Sequence, residues 1–186
     1  MSLRLGIYTN ITYMKTIKGI GFENFRVFKS RSEFELAPIT ILTGANSSGK
    51  STVIKALKLL QEFWAQKKFG HELRFSEGNV NHQLGNFDMS ISKHGQKKEM
   101  VFSYKINHIA FSELNILLYF ENINNRLNDG VLTKTGIKTA NGTVLFSTSI
   151  DDSGSILLSY NYDYIINKLL PNYLPSHQYS YDLNIP

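Results

Sequence analysis

The chain has 186 residues and a mass of 21.2 kDa, which fits one domain or a piece of a larger one. Its apolar (42%), aromatic (12%) and charged (19%) fractions exclude collagen-like, coiled-coil and disordered classes, and the lack of cysteine excludes disulfide scaffolds, thiolate zinc sites and cysteine nucleophiles. The net charge of +5 is uneven, because residues 1–105 hold 16 Lys and Arg against 8 Asp and Glu, so we expect an anionic partner to bind the first half.

The first half of the chain predicts strands followed by a helix. Alternating apolar residues predict a strand at about 15–23, and 32–35 is a second candidate. After Pro38, the β-branched run 39–43 predicts a buried strand. Residues 50–64 then place apolar side chains at helical spacing, which predicts a helix of about 15 residues. These side chains are Val53, Ile54, Leu57, Leu60, Phe63 and Trp64.

The second half predicts mostly strands. Residues 65–87 lack periodicity and indicate connecting loops with one short helix, whereas 100–106 and 114–120 are strand-like. Residues 131–161 indicate a meander with a two-residue hairpin turn at Asn141-Gly142 and another turn at 151–154. Residues 162–170 predict a helix that ends before Pro171.

Neither a membrane span nor a secretory signal is predicted. The best apolar runs, such as 116–120, have the length of a strand rather than the roughly 20 residues that cross a bilayer. The first 15 residues contain no apolar core followed by a cleavage site. We therefore expect a cytoplasmic protein without membrane contact.

One motif carries specific chemistry. Residues 44–51 match G-x-x-x-x-G-K-[ST] at every fixed position, between a predicted strand and a predicted helix, and so predict a phosphate-binding P-loop. Its backbone N–H groups and the following helix N-terminus suit phosphates, Lys50 suits the β- and γ-phosphates as the catalytic cation, Ser51 suits Mg²⁺, and Thr52 suits the α-phosphate. The alternative is a strand-to-helix turn capped by Ser47 or Ser48. The predicted nucleotide-binding residues are Gly44, Ala45, Asn46, Ser47, Ser48, Gly49, Lys50, Ser51 and Thr52.

The upstream sequence adds a family resemblance. Ile20-x-Phe22-x-Asn24-Phe25-Arg26-x-Phe28, followed by this P-loop with Asn46 at its third position, resembles the SMC/RecF/OLD branch of ABC-type ATPases. The later Leu84-Gly85-Asn86-Phe87 is similar to a segment of OLD-like "AAA family" ATPases of bacterial defence systems. The resemblance implies an α/β P-loop NTPase, namely the first lobe of an ABC-type head with an antiparallel β-rich subdomain, in which two heads sandwich ATP and Mg²⁺.

Two further site residues come from the resemblance alone. Arg26 corresponds to an arginine near the nucleotide or the partner head, and the alternative is a surface arginine at a strand end. Gln83 corresponds to the Q-loop glutamine that contacts Mg²⁺ and the attacking water, and the alternative is an ordinary loop glutamine.

Other motifs of such heads are missing from the sequence. There is no Leu-Ser-Gly-Gly signature, no switch histidine in context and no Walker B strand: 116–122 has no Asp, and a hairpin explains the acids that end 144–152. We therefore expect the chain to bind ATP better than it hydrolyses it. The expected division is a P-loop core at 14–70, a connecting region at 71–99, a β subdomain at 100–165 and an open-ended segment at 166–186 that continues into a missing second lobe.

The leading hypothesis is an ATP-binding part of an ABC/SMC-like ATPase that couples ATP binding and head dimerisation to DNA repair or anti-phage defence. Its expected partners are ATP, a second copy through the nucleotide face, DNA and an effector nuclease. One alternative is a truncated or degenerate nucleotide-binding or interaction module without turnover. Another is a GTPase or small-molecule kinase, since Asp151-Asp152-Ser153-Gly154 fits D-x-x-G, although Asn167-Lys168-Leu169-Leu170 lacks the Asp that would recognise guanine.

Overall fold

The computed structural model describes residues 17–46, 48–65, 72–75, 82–93, 98–123, 128–151 and 153–169, which form eight strands and three helices. The strands are β1 (Ile17–Glu23), β2 (Ser32–Glu35), β3 (Glu72–Leu73), β4 (Glu99–His108), β5 (Ser112–Glu121), β6 (Gly130–Thr139), β7 (Val144–Ile150) and β8 (Ile156–Tyr160). The helices are α1 (Lys50–Ala65), α2 (Phe87–Ser90) and α3 (Tyr162–Leu169).

These strands form one open sheet in which every pairing is antiparallel. Its order is β2-β1-β4-β5-β6-β7-β8, and the short β3 pairs with β6. Strands β4 to β8 follow one another as neighbours, which confirms the predicted meander and the strands before it. Strand β1 pairs with the distant β4, so that Phe22 lies opposite Phe102. The N-terminal strands therefore share a sheet with the strands of the second half.

Helix α1 packs one face on this sheet. Its buried side chains recur at the spacing of a helix face, and the Phe63 ring meets the Phe120 ring edge-on with centroids 5.2 Å apart. At the last turn, Trp64 Nε1 donates to the Tyr104 hydroxyl at 2.9 Å, and burial raises the pKa of Tyr104 to about 12. Each fully buried apolar side chain contributes about 1.5–3 kcal/mol. The predicted helix is confirmed, and its position on the sheet is fixed by this inner face.

An aromatic cluster closes the core beside β1. The Phe22 ring lies 5.6–6.0 Å, centroid to centroid, from four other rings. These belong to Phe25, Phe28, Phe34 and Phe102, so that the turn after β1, strand β2 and strand β4 all meet at one side chain. Such ring contacts add about 0.5–1.5 kcal/mol per pair to the burial itself. The turn that follows β1 is thereby anchored to the sheet.

The predicted buried strand at 39–43 is wrong. This segment forms no strand, and Ile39 and Ile41 are 83% and 79% exposed. It begins with a turn in which the Ala37 N–H donates to the Thr40 hydroxyl at 3.0 Å. Strand β2 is the edge of the sheet, and no strand lies beyond it within the described residues. Because no strand in the described part of the chain pairs with this run, most of it stays exposed.

Two other predictions need correction. Of the apolar residues predicted on α1, Ile54, Leu57 and Trp64 are exposed, because the sheet covers only one side of the helix. The β6–β7 loop has four residues (140–143) between the two strands rather than two: the N–H of Thr139 donates to the carbonyl of Thr143 at 2.9 Å, and within this loop Gly142 alone has positive φ (+87°). The short helix predicted among the connecting loops is α2, and residue 170 of the last predicted helix lies outside the described residues.

The predicted division at residues 70, 99 and 165 stays a prediction. Residues 14–16, 66–71 and 170–186 lie outside the described part of the chain. Within the described part, the strands assigned to the first and third segments belong to a single sheet. The fold is thus an α/β arrangement rich in antiparallel strands, with an open sheet and α1 on one of its faces.

Candidate functional site

The predicted P-loop (residues 44–51) turns sharply into helix α1. Gly44 and Gly49 have φ of +140° and +99°, values that L side chains rarely adopt. The Val53 N–H donates to the Gly49 carbonyl at 3.0 Å, so the helix starts directly after the loop. Ser47 lies outside the described residues. The first helical turn contains no acidic residue, so the positive end of the helix dipole faces the loop without a competing carboxylate.

Lys50 reaches back across this loop. Its Nζ donates to the carbonyl oxygens of Gly44 at 2.7 Å and Ala45 at 2.6 Å, and it lies 3.4 Å from the Ser48 hydroxyl. An ammonium has three donors, and phosphate oxygens accept the same hydrogen bonds. A bound phosphate could therefore replace these two backbone carbonyls as the hydrogen-bond acceptor of Lys50.

The remaining loop residues differ in their access to a ligand. Ala45, Asn46, Ser48 and Ser51 are exposed, and the Ser51 hydroxyl is available to a metal ion. Thr52 is buried, with 6% of its surface exposed, so its backbone N–H in the first turn is the better candidate donor to a phosphate than its hydroxyl. The glycine turn, the cation and the exposed serine together fit a magnesium–nucleotide.

The turn after β1 forms the floor beneath the P-loop. A Cβ at Gly49 would lie 2.8 Å from the Val27 methyl and 2.9 Å from the Phe28 ring, both closer than real Cβ contacts. The turn itself is closed by two hydrogen bonds between the backbones of Phe25 and Phe28, at 3.0 and 2.9 Å. Glycine at position 49 is thus required by both the backbone angle and the lack of space.

Arg26 lies in this same turn. It has a φ of +51°, which is unusual for a residue with a side chain, and its N–H donates to the Ser90 carbonyl at 2.8 Å. Within the described residues its guanidinium makes no hydrogen bond or ion pair. The turn therefore holds Arg26 in a strained backbone conformation, next to the Val27 and Phe28 that pack against Gly49, and such strain is often found at functional sites.

The Asn-Phe-Arg turn is bonded to the chain at the end of α2, just beyond the Leu-Gly-Asn-Phe segment. Phe25 forms a backbone bridge with Ile91, and the Ser92 N–H donates to the Asn24 carbonyl at 3.2 Å. The Asn86 side chain caps α2 by accepting from the Met89 N–H at 2.8 Å. The Asn-Phe-Arg turn is thus joined to the end of α2, the helix that begins at Phe87 of the Leu-Gly-Asn-Phe segment.

Gln83 is exposed and has a φ of +51°. Its carbonyl accepts a hydrogen bond from Lys55 Nζ at 3.2 Å, which connects it to the P-loop helix. The preceding residue, His82, is 1% exposed: its Nδ1 accepts from the Leu84 N–H, and its Nε2 lies 3.2 Å from the Arg74 carbonyl. The sequence predicted neither contact, since nothing in the local pattern indicates partners 28 and 8 residues away.

The acidic turn at 151–154 is a hairpin feature. The Asp151 carboxylate accepts from the Ser153 hydroxyl at 2.6 Å and from the Ser153 and Ser155 N–H groups at 2.9 Å. The hydrogen bond from the Ser153 hydroxyl, with those from the backbone, holds the pKa of Asp151 below its ordinary value. This carboxylate serves its own β7–β8 turn, as the hairpin interpretation predicted.

A groove opens on the side of α1 that the sheet leaves bare. The β2–α1 groove, with a volume of about 790 Å³, lies between strand β2, residues 40–42 and the outer face of α1. Its apolar lining includes Phe34, Leu36, Ile41, Leu42, Ile54 and Leu57, and Lys50 also lines it. The groove therefore adjoins the P-loop lysine.

Comparison with known proteins identifies the family. A protein-family model described as an AAA domain matches residues 20–184, a span that includes most of β1, the P-loop, α1 and strands β2 to β8. The chain belongs to the AAA domain family. Membership of the AAA domain family indicates an ATPase-like, nucleotide-binding function, and proteins of this family generally use ATP and Mg²⁺. A search of curated proteins finds no match to this AAA domain.

Two further properties concern the described residues only. No helix among them is long and apolar enough to cross a membrane. No group of three or more His, Asp or Glu side chains among them has the arrangement of a metal site.

Proposed function

We propose that this AAA domain binds ATP with Mg²⁺ at residues 44–52. The observation that carries the proposal is the position of Lys50, whose ammonium lies across a glycine-bounded loop at the start of a 16-residue helix. A loop of this kind presents backbone N–H groups and a mobile cation to the same anion. A phosphate would take over the hydrogen bonds that Lys50 now donates to its own loop.

Each residue has a separate part in this proposal. Gly44 and Gly49 give the loop its turn, Lys50 neutralises the β- and γ-phosphates, and Ser51 binds the Mg²⁺ that accompanies them. Arg26 supplies a second cation from the turn below, and Gln83 supplies an amide beside the helix. Bound Mg²⁺ would supply charge neutralisation at the phosphates, while the residues of this chain hold and orient the nucleotide.

Replacing Lys50 tests the proposal. A hydrogen bond to a charged group contributes about 1.5–3 kcal/mol, so Lys50→Ala should raise the dissociation constant for Mg–ATP by about 10- to 150-fold. Titration calorimetry on the full chain measures it. The matched control is Lys58→Ala, which removes another exposed lysine of α1 and should leave the affinity unchanged. Equal affinities of wild type and Lys50→Ala would refute the proposed site.

We also propose, on the resemblance to the SMC/RecF/OLD branch, that this domain is the first lobe of an ABC-type head. A second lobe would then cover the β2–α1 groove and the exposed run 39–43. Two heads would associate through the nucleotide face, which light scattering with and without ATP would detect. If the particle mass of a protein that contains both lobes does not change on adding ATP, the proposed association of two heads is contradicted.

The biological role that we propose is in DNA repair or anti-phage defence, with DNA and an effector nuclease as partners. The excess of Lys and Arg in residues 1–105 supports an anionic partner. Binding of duplex DNA should weaken steeply as salt rises, because each phosphate contact releases counterions. An affinity that does not depend on salt would contradict a phosphate-binding surface.

A module that binds nucleotide without turnover is the second candidate. Its support comes from the two acidic side chains that follow apolar runs in the second half of the chain. Asp151 accepts hydrogen bonds from its own turn, and Glu121 accepts one from the Thr133 hydroxyl at 3.3 Å. Both carboxylates are thus used in contacts of their own strands and turn, and within the described residues no contact joins either of them to the P-loop. A steady-state ATPase rate of the chain above background that is lost in Lys50→Ala would exclude this candidate.

A further inference from the structure

Lys55, on the helix that follows the P-loop, forms a hydrogen bond with the backbone of Gln83 in a loop 28 residues away. Ser51 and Lys55 are four residues apart on α1, and side chains at this spacing lie on one face, about 5–6 Å apart at their Cβ atoms. Lys55 Nζ donates to the Gln83 carbonyl at 3.2 Å. This single contact puts Gln83 on the same side of the helix as the proposed magnesium ligand.

The backbone of Gln83 has a conformation that needs support. Its φ of +51° falls in the left-handed region, which a residue with a side chain rarely adopts. Such a position persists only when its surroundings determine it. Both polar groups of the Gln83–Leu84 peptide bond form hydrogen bonds. The Gln83 carbonyl accepts from Lys55, and the Leu84 N–H donates to the Nδ1 of His82 at 3.2 Å.

The histidine makes this support rigid. The imidazole of His82 is almost entirely buried and packs edge-on against Phe75, with centroids 5.7 Å apart. Its Nδ1 accepts from Leu84, and its Nε2 lies 3.2 Å from the Arg74 carbonyl and 3.5 Å from the Glu62 carboxylate of α1. The buried side of the loop is therefore fixed, and Lys55 is the contact that joins its exposed side to the helix.

We infer that Lys55 is a positioning residue, which holds Gln83 against the face of α1 that carries Ser51. The inference rests on the proposed ATP site. The amide of Gln83 offers both a donor and an acceptor, and so suits the water molecules that Mg²⁺ retains. Lys55 acts only through the backbone of Gln83, and its charge need not touch the nucleotide.

The test compares the affinity for ATP in the presence of Mg²⁺ with the affinity in the presence of EDTA. In the wild type, the ratio of the two dissociation constants reports how far Mg²⁺ strengthens binding. Lys55→Met and Gln83→Ala should each lower this ratio by about three- to tenfold, and the double variant should lower it no further, because both changes remove one device. Lys55→Arg, which keeps a donor, should restore part of the ratio, and the control Lys58→Met should leave it unchanged.

A second measurement does not need the nucleotide. Amide hydrogen exchange of residues 82–84 should accelerate in Lys55→Met and remain as in wild type in Lys58→Met. Loss of affinity that is equal with and without Mg²⁺ would show a general charge effect and overturn the inference, as would additive effects of Lys55→Met and Gln83→Ala. A wild-type chain that binds no ATP would instead overturn the proposed function itself.

Discussion

Substituting Gly49 tests two requirements for glycine at this position of the P-loop: the positive φ of the backbone and the lack of space beside the turn after β1. Gly49→Ala places a Cβ at a φ of +99° and within 3 Å of Val27 and Phe28. The backbone angle costs about 1–2 kcal/mol, and the overpacking adds about 1–3 kcal/mol. The ring of Phe28 cannot give way easily, since it is buried and stacks on Phe22 at 5.6 Å. We expect a loss of about 2–5 kcal/mol in the free energy of unfolding.

The β7–β8 turn offers a matched control. Gly154 has a φ of +83°, yet a Cβ there would meet nothing within 4 Å. Gly154→Ala should therefore cost only the backbone contribution, about 1–2 kcal/mol. Urea denaturation of both variants at 25 °C, compared through midpoints at equal m-values, measures the difference. If the two substitutions cost the same within about 0.5 kcal/mol, the turn after β1 does not support the loop as described.

Two further predictions concern the helix and a surface ion-pair cluster. Leu59→Ala should lower the free energy of unfolding by about 2–5 kcal/mol, because Leu59 is fully buried. Leu57→Ala should lower it clearly less, because 40% of Leu57 is exposed in the β2–α1 groove, and equal losses would contradict the one-sided packing of α1. The hydrogen bond from Lys105 at 2.9 Å, assisted by Arg31, holds the pKa of Glu33 below its ordinary value of 4.5. The ionised Glu33 therefore stabilises the folded state above pH 4.5, and this stabilisation is lost as the pH falls through the lowered pKa of the folded state. Since Glu33 is 40% exposed, the effect is only about 0.2–1 kcal/mol. Stability measured between pH 6 and pH 3 should fall more in wild type than in Glu33→Gln, and identical pH profiles would contradict it.

The sequence predicted those parts of the fold whose signals are local. Helix α1 follows from the 3.6-residue period of its apolar side chains, and the β6–β8 meander follows from alternation and turn residues. The P-loop follows from fixed residue types at fixed spacing. In each case the information lies within about 15 residues of chain, and no distant partner is needed to interpret it.

Apart from the length of the β6–β7 loop, the failures depend on distant neighbours. The run 39–43 has the composition of a buried strand, but burial requires a neighbouring strand that the described residues do not supply. The exposed Leu57 looks like a core residue by period alone. Likewise, the contact between Lys55 and Gln83 spans 28 residues, and the packing of Val27 against Gly49 joins two separate loops. Neither contact leaves a mark in the sequence that pattern analysis can detect.

The sheet order also determines when the candidate site can form during folding. Strand β1, which fixes the turn beneath Gly49, pairs on its inner side with β4 rather than with a strand close to it in the chain. The P-loop, α1 and Gln83 all lie in the chain segment that this pairing closes into a loop, and closing a long loop costs entropy before any contact repays it. On a ribosome, the nucleotide site would therefore be assembled only after residues 99–108 have left the exit tunnel and β4 can receive β1.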